Sequence, residues 1–175
     1  MIYTEKNIRE SRLVAIRAHG NQVYDEIFPY EKHLDDVISV LKRFGFGGKY
    51  IVAGYLHDTI EDGALSYGKI EKHFGNEVAE MVYCVTDELG RNRKERKSKT
   101  YPKLAQNQDA IVIKLADRIA NVEHGGLKDM YKKEYKEFRN AIYQPDRVSA
   151  SMWEYLDNMM SGKLDDSFGF IEMQW

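Results

Sequence analysis

The chain has 175 residues, 43% hydrophobic and 31% charged, a balance that fits one soluble globular domain and excludes a disordered or collagen-like chain. A net charge of −2 leaves no global basic field to recruit nucleic acid or a membrane surface. Cys84 is the only cysteine, no apolar run approaches the roughly 18 residues of a membrane helix, and the first residues carry no apolar signal core, so the expected setting is a reducing cytoplasm.

A first helix is expected near residues 4–20, with Ile8, Leu13, Ala15, Ile16 and Ala18 as its apolar stripe. Residues 21–29 read as a loop ending at Pro29. A second helix follows from about Tyr30, with Leu34, Val37, Ile38 and Leu41 on one face, and stops at Gly45-Phe46-Gly47-Gly48. The third, from about Lys49 to Glu61, is apolar almost all round through Leu56, the pattern of a buried helix. Ser66 reads as the N-cap of a short helix closed by Gly75. Another helix carries Val78, Met81, Val82 and Val85. Residues 89–107 read as an irregular basic loop. Asp109 is the expected N-cap of an apolar helix running through Ile119, and two more helices are expected near 127–142 and 148–161. The remaining 162–175 read as an aromatic-bearing tail. No period-2 run appears, so the fold class is all-α, a single-domain helical bundle.

The chemistry concentrates in His57-Asp58-Thr59-Ile60-Glu61-Asp62, where an apolar run leads straight into acid/base groups. Burying a carboxylate without a partner costs several kcal/mol, and a cation is the natural compensation. Two ligands do not close a site. His33, just after the Pro29 turn, and Asp117, interrupting the apolar helix 111–119, are the candidates to complete it. Imidazole and carboxylate together suit borderline or hard divalent ions. Such a site leaves positions for water, which a metal acidifies. Glu61 and Asp62 are the residues suited to take a proton or orient that water.

These segments resemble the HD superfamily through its H…HD…D pattern, here His33, His57-Asp58 and Asp117. More narrowly they resemble the hydrolase domain of RelA/SpoT proteins and their small relatives, including the metazoan SpoT homologue. The matching stretches are Ala18-His19…Gln22, Pro29-Tyr30…His33, Leu56 through Asp62, Phe74-Gly75…Val78, Val85-Thr86-Asp87 and Lys114-Leu115-Ala116-Asp117-Arg118…Asn121. The resemblance implies an HD domain over 1–161. It implies a divalent metal, most often Mn2+, held by His33, His57, Asp58 and Asp117, and Glu61 and Asp62 as the acid/base and water-positioning pair. The implied reaction removes the 3′-pyrophosphate from guanosine or adenosine alarmones, with Asn121 contacting the nucleotide.

One departure stands out. The family carries Arg-Lys before the Pro-Tyr turn, where this chain has Tyr24-Asp25. Tyr24 is read as a base-stacking residue and Asp25 as an acceptor for a base amino group. In the basic segment, Arg91 and Lys94 are candidates for phosphate contact. Interleaved aromatics are nearly absent there, which argues against a nucleic-acid platform. Another HD nucleotide phosphohydrolase, 5′-nucleotidase-like, and a non-catalytic nucleotide-binding module are the competing readings. His19 is read as structural, His73 and His124 as helix-end residues, and Cys84 as a buried small hydrophobe.

Overall fold

A computed structural model of the chain describes residues 2–126, 128–144 and 148–163. Residues 164–175, most of the expected tail, lie outside the described residues. The architecture is all-α, as expected. In chain order come α1 (Glu5–His19), a two-stranded hairpin of β1 (Val23–Tyr24) and β2 (Phe28–Pro29), α2 (Tyr30–Arg43), α3 (Lys49–Leu56), α4 (Tyr67–Phe74) and α5 (Asn76–Val85). Then follow α6 (Arg93–Leu104), α7 (Gln108–His124), α8 (Lys128–Ile142) and α9 (Ala150–Met160).

The apolar helix α3 is the centre of the bundle, packed against α1, α2, α5 and α7. Its residues Ile51 through Leu56 are all buried. The one without a side chain, Gly54, marks the closest approach to α2. A Cβ there would lie 2.7 Å from Leu41 Cδ1 and 2.9 Å from Ile38 Cδ1. Helix α7 is buried along nearly its whole length. Its polar exceptions Lys114, Asp117, Arg118 and Asn121 fall at i, i+3, i+4 and i+7, one face of a helix. Two helices thus carry apolar sequence to the core and a polar face or end to a common point beside α2.

Four expectations are corrected. Helix α3 ends at Leu56, and His57 through Gly63 form turns. The segment 89–107 contains α6, capped by Asn92, whose Oδ1 accepts from Glu95 N at 2.9 Å. The N-cap of α7 is Asn107, accepting from Ala110 N at 3.0 Å, a contact worth about 1 kcal/mol. Asp109 instead accepts from Lys49 Nζ at 2.6 Å and Tyr50 Oη at 2.5 Å, tying α7 to α3. The loop 21–29 holds the hairpin, paired Val23 with Pro29 and Tyr24 with Phe28.

Candidate metal centre and active site

The site begins where α3 runs out of helix. Its last carbonyls need donors, and the following side chains supply them. His57 Nδ1 donates to Gly54 O at 2.7 Å and Thr59 Oγ1 to Leu56 O at 2.7 Å. This fixes the imidazole so that Nε2 faces away from the helix, the orientation a metal-ligating histidine takes. His33, on the first turn of α2, turns its own Nε2 to that atom at 3.3 Å. Two nitrogens each about 2.1 Å from one ion lie about 3.0–3.4 Å apart, so the pair has the spacing of co-ligands. Asp58 Oδ2 is 2.8 Å from His57 Nε2 and 3.9 Å from His33 Nε2. Asp117 Oδ1, arriving from α7, is 3.5 Å from His33 Nε2 and 4.0 Å from His57 Nε2. His33, His57 and Asp58 form the tightest group, with donor atoms all within 4.8 Å of one another. The structure thus gathers the four expected residues from three elements.

Both carboxylates are oriented by further partners. Tyr30 Oη donates to Asp58 Oδ2. Asp117 Oδ1 accepts from Asn121 Nδ2 at 2.6 Å, and its Oδ2 from Lys114 Nζ at 2.9 Å. Burial pushes both carboxyls up, but the imidazoles and, for Asp117 above all, Lys114 hold them below the ordinary carboxylate range. Burial lowers the His33 pKa, with Asp117 opposing. Burial also pulls His57 down, yet Asp58 outweighs it and lifts His57 to about 9. Buried His33 Nδ1 has no hydrogen-bond partner. This mixed N/O donor set, two imidazoles and two carboxylates largely out of bulk water, fits a divalent cation.

Asp58, Asp117 and His33 line a cavity of about 210 Å³. Glu61 lines it too; its Oε2 accepts from Asp87 N at 3.2 Å. Burial, then Asp87 and Asp58, raise the Glu61 pKa. Asp62 does not line the cavity. It turns to buried His19, whose Nδ1 is 2.9 Å from Asp62 Oδ2 and whose ring stacks on Tyr30 at 4.1 Å.

Five cations line the same cavity: Arg93, Arg96, Lys97, Lys114 and Arg118. Arg118 is 1% exposed, lies over the Phe138 ring at 3.7 Å, and has no hydrogen-bond partner at Nε or Nη1. Lys97 Nζ donates to both oxygens of Asp87 at 2.8 Å. Arg91 and Lys94, the sequence candidates, are exposed and do not line the cavity. The segment is a helix, and its i, i+3, i+4 periodicity turns Arg93, Arg96 and Lys97 inward and Lys94 outward. That stripe of Arg-x-x-Arg-Lys-x-x-Thr-Tyr was the signal available in the sequence, hidden by its lack of apolar residues.

Tyr24 lines the cavity, its ring stacked on His33 at 4.9 Å and tilted against His124 at 4.5 Å between centroids. Its hydroxyl donates to Asn121 Oδ1 at 3.0 Å. Asp25 accepts from His124 Nε2 at 2.9 Å. Tyr24 thus stands at the cavity with its hydroxyl on Asn121, and Asp25 stands with one oxygen on a histidine.

The HD domain family matches residues 11–145. Among curated relatives, the bifunctional (p)ppGpp synthase/hydrolase SpoT of Escherichia coli K12 is 34% identical over 148 residues, covering 80% of this chain and 21% of that protein. A guanosine-3′,5′-bis(diphosphate) 3′-pyrophosphohydrolase of Vibrio cholerae is 36% identical over 146 residues, covering 79% and 21%. The chain therefore spans about a fifth of the length of these relatives. A solved structure of a metazoan ortholog of SpoT superposes with a TM-score of 0.77 at 24% identity, covering 93% of this chain and 98% of that one, a likeness of fold. A Listeria monocytogenes protein superposes at 0.61 with 26% identity, covering 77% and 95%. No helix among the described residues is long and apolar enough to cross a membrane. With its bundle, its gathered His and Asp residues and the family match over residues 11–145, the chain belongs to the HD domain family.

Proposed function

We propose that this chain is a metal-dependent phosphohydrolase that removes the 3′-pyrophosphate from guanosine or adenosine alarmones. The observation that carries the reading is one cavity lined both by His33, Asp58 and Asp117 and by Arg93, Arg96, Lys97 and Arg118. A substrate phosphorylated at both ends of its ribose has one anionic group for a bound metal and another for the cations, where it competes with Glu134 for Arg93 and with Asp87 for Lys97. A simple monophosphate has only one such group. The printed activities of the SpoT-type relatives agree.

His33, His57, Asp58 and Asp117 hold the cation, for which Mn2+ suits the mixed nitrogen and oxygen donors. Bound there, it supplies Lewis-acid stabilisation of phosphoryl charge and acidifies water. Glu61, raised above the ordinary carboxylate range by its surroundings, accepts the proton of the attacking water. Asp62 anchors the turn that carries Glu61 by its contact with His19. Arg93, Arg96, Lys97 and Arg118 hold the distal phosphates. Water attacks the phosphorus adjoining the ribose 3′ oxygen as its proton passes to Glu61, the P–O bond to that oxygen breaks, the 3′ oxygen takes up a proton to become the ribose 3′-hydroxyl, and pyrophosphate carrying the water's oxygen is released. The catalytic unit takes in residues 1–161, and a nucleotide substrate with a lone free cysteine supports a cytoplasmic setting.

The test is a nucleotide panel with the Mn2+-loaded protein, reading pyrophosphate and phosphate separately. Pyrophosphate release from guanosine or adenosine 3′,5′-bis(diphosphate) is expected. Phosphate release confined to 5′-monophosphates would overturn the assignment in favour of a nucleotidase.

A further inference from the structure

The hairpin that replaces the family's Arg-Lys grip ends in a hydrogen-bond chain that runs to a metal-ligand candidate. Tyr24 Oη donates to Asn121 Oδ1 at 3.0 Å, and Asn121 Nδ2 donates to Asp117 Oδ1 at 2.6 Å and to Asp117 O at 2.9 Å. The direction of the chain is forced. Asp117 is an acceptor and needs the amide nitrogen, which turns the amide oxygen to Tyr24. Asn121 is 6% exposed, and its amide is committed at both ends inside the protein.

The hairpin is built to keep Tyr24 there. Asp25 and Glu26 take φ of +53° and +63°, the left-handed region that closes a tight turn. Asp25 Oδ2 is latched by His124 Nε2 at 2.9 Å, one turn beyond Asn121 on α7. A Cβ on Gly126 would lie 3.1 Å from both Asp25 oxygens, so the latch also uses a glycine. The ring packs against His33 and His124.

We infer that Tyr24 is a positioning residue that acts through Asn121 to aim Asp117 at the metal, and that Asn121 serves the metal centre here and not the nucleobase. The inference rests on the metal-hydrolase reading. A group that orients a ligand typically changes metal affinity by about 10–100-fold when removed, and a group one hydrogen bond further out by less. The consequence for specificity is direct. The Tyr24 hydroxyl and the Asn121 amide are engaged internally, so Tyr24→Phe should change kcat/KM for guanine and adenine substrates alike.

The experiment is calorimetric titration of the metal-free protein with Mn2+, for wild type, Tyr24→Phe, Asn121→Ala and the double variant, with melting of each metal-free protein as a fold control. Tyr24→Phe keeps the ring and removes only the hydroxyl. It is expected to weaken Mn2+ binding on the order of fivefold, and Asn121→Ala on the order of tenfold or more. Tyr24→Phe should have no further effect in the Asn121→Ala background, because the two act in series. Unchanged Mn2+ affinity in Tyr24→Phe overturns the inference, as does a rise in KM for guanosine but not adenosine substrates. Wild type that binds no divalent ion would instead sink the metal-hydrolase reading itself.

Discussion

Gly54→Ala tests how tightly the metal centre depends on the seam between α2 and α3. The added Cβ would stand 2.7 Å from Leu41 Cδ1, 2.9 Å from Ile38 Cδ1 and 3.8 Å from Val37 Cγ1. Carbon atoms prefer about 3.5–4.0 Å, so two contacts fall short by most of an ångström. Leu41 is fully buried and Ile38 only 4% exposed, so neither methyl swings into open space, and the helices must separate by tenths of an ångström. Overpacking of this kind costs about 1–3 kcal/mol. Alanine's better helix propensity returns about 1 kcal/mol. The net expectation is a loss of about 1 kcal/mol, a fall in Tm of about 2–4 °C for a domain of this size. The separation also acts on the site, because His33 rides on α2 and His57 donates to the Gly54 carbonyl itself. Their nitrogens, 3.3 Å apart, move off co-ligand spacing, and Mn2+ affinity should fall on the order of tenfold. Differential scanning calorimetry of the metal-free protein and calorimetric Mn2+ titration read the two effects separately. A Tm that rises by about 2–4 °C with Mn2+ binding unchanged would show propensity acting alone, and would refute the seam as the device that spaces the histidines.

Two further outcomes concern the cavity walls. Glu61→Gln should lower kcat by about 10²–10⁴-fold while leaving Mn2+ affinity intact. Burial and the neighbouring Asp87 and Asp58 raise the Glu61 pKa, so wild-type kcat should fall as pH drops through a value above the ordinary glutamate range of about 4.3. A variant that keeps the same acid limb would remove Glu61 from the proton transfer. Among the cavity's cations, burial and then Lys114 press Lys97 down to about 8 against the pull of Asp87. Rising pH strips its proton through that value, so nucleotide KM should climb above about pH 8. Between there and the usual lysine value of about 10.4 the unfolded chain binds more protons, so this group makes stability rise with pH in that window. Lys97→Arg should hold KM flat over the same range, and a wild-type KM that does not change between about pH 7 and pH 9 would contradict the assignment.

Much of this molecule is written locally. The all-round apolar run 51–56 declares a central helix, because no other element buries every face. His33, His57-Asp58 and Asp117 mark a candidate metal centre through their resemblance to the H…HD…D pattern, and buried imidazole and carboxylate groups need such a partner. Helix α6 was not legible, since its inward stripe is Arg93, Arg96, Lys97, Thr100 and Tyr101 and so reads as solvated. Its burial is decided by a carboxylate, Asp87, held in another element. The end of α3 at Leu56 was likewise invisible, because His57 and Thr59 cap it with side chains that periodicity does not register.

The roles within the site divide along the same line. Residue types and their resemblance to the H…HD…D pattern named His33, His57, Asp58 and Asp117 as candidate ligands, and tertiary packing brought them together from three elements. Only tertiary packing decided that Asp62 turns to His19, that Arg93 and Arg96 face the cavity where Arg91 and Lys94 do not, and that Tyr24 spends its hydroxyl on Asn121. Each of those depends on a partner far away in sequence, 43 residues for Asp62 and His19 and 97 for Tyr24 and Asn121. A hydrogen bond is chosen by which donors and acceptors the completed fold leaves in reach.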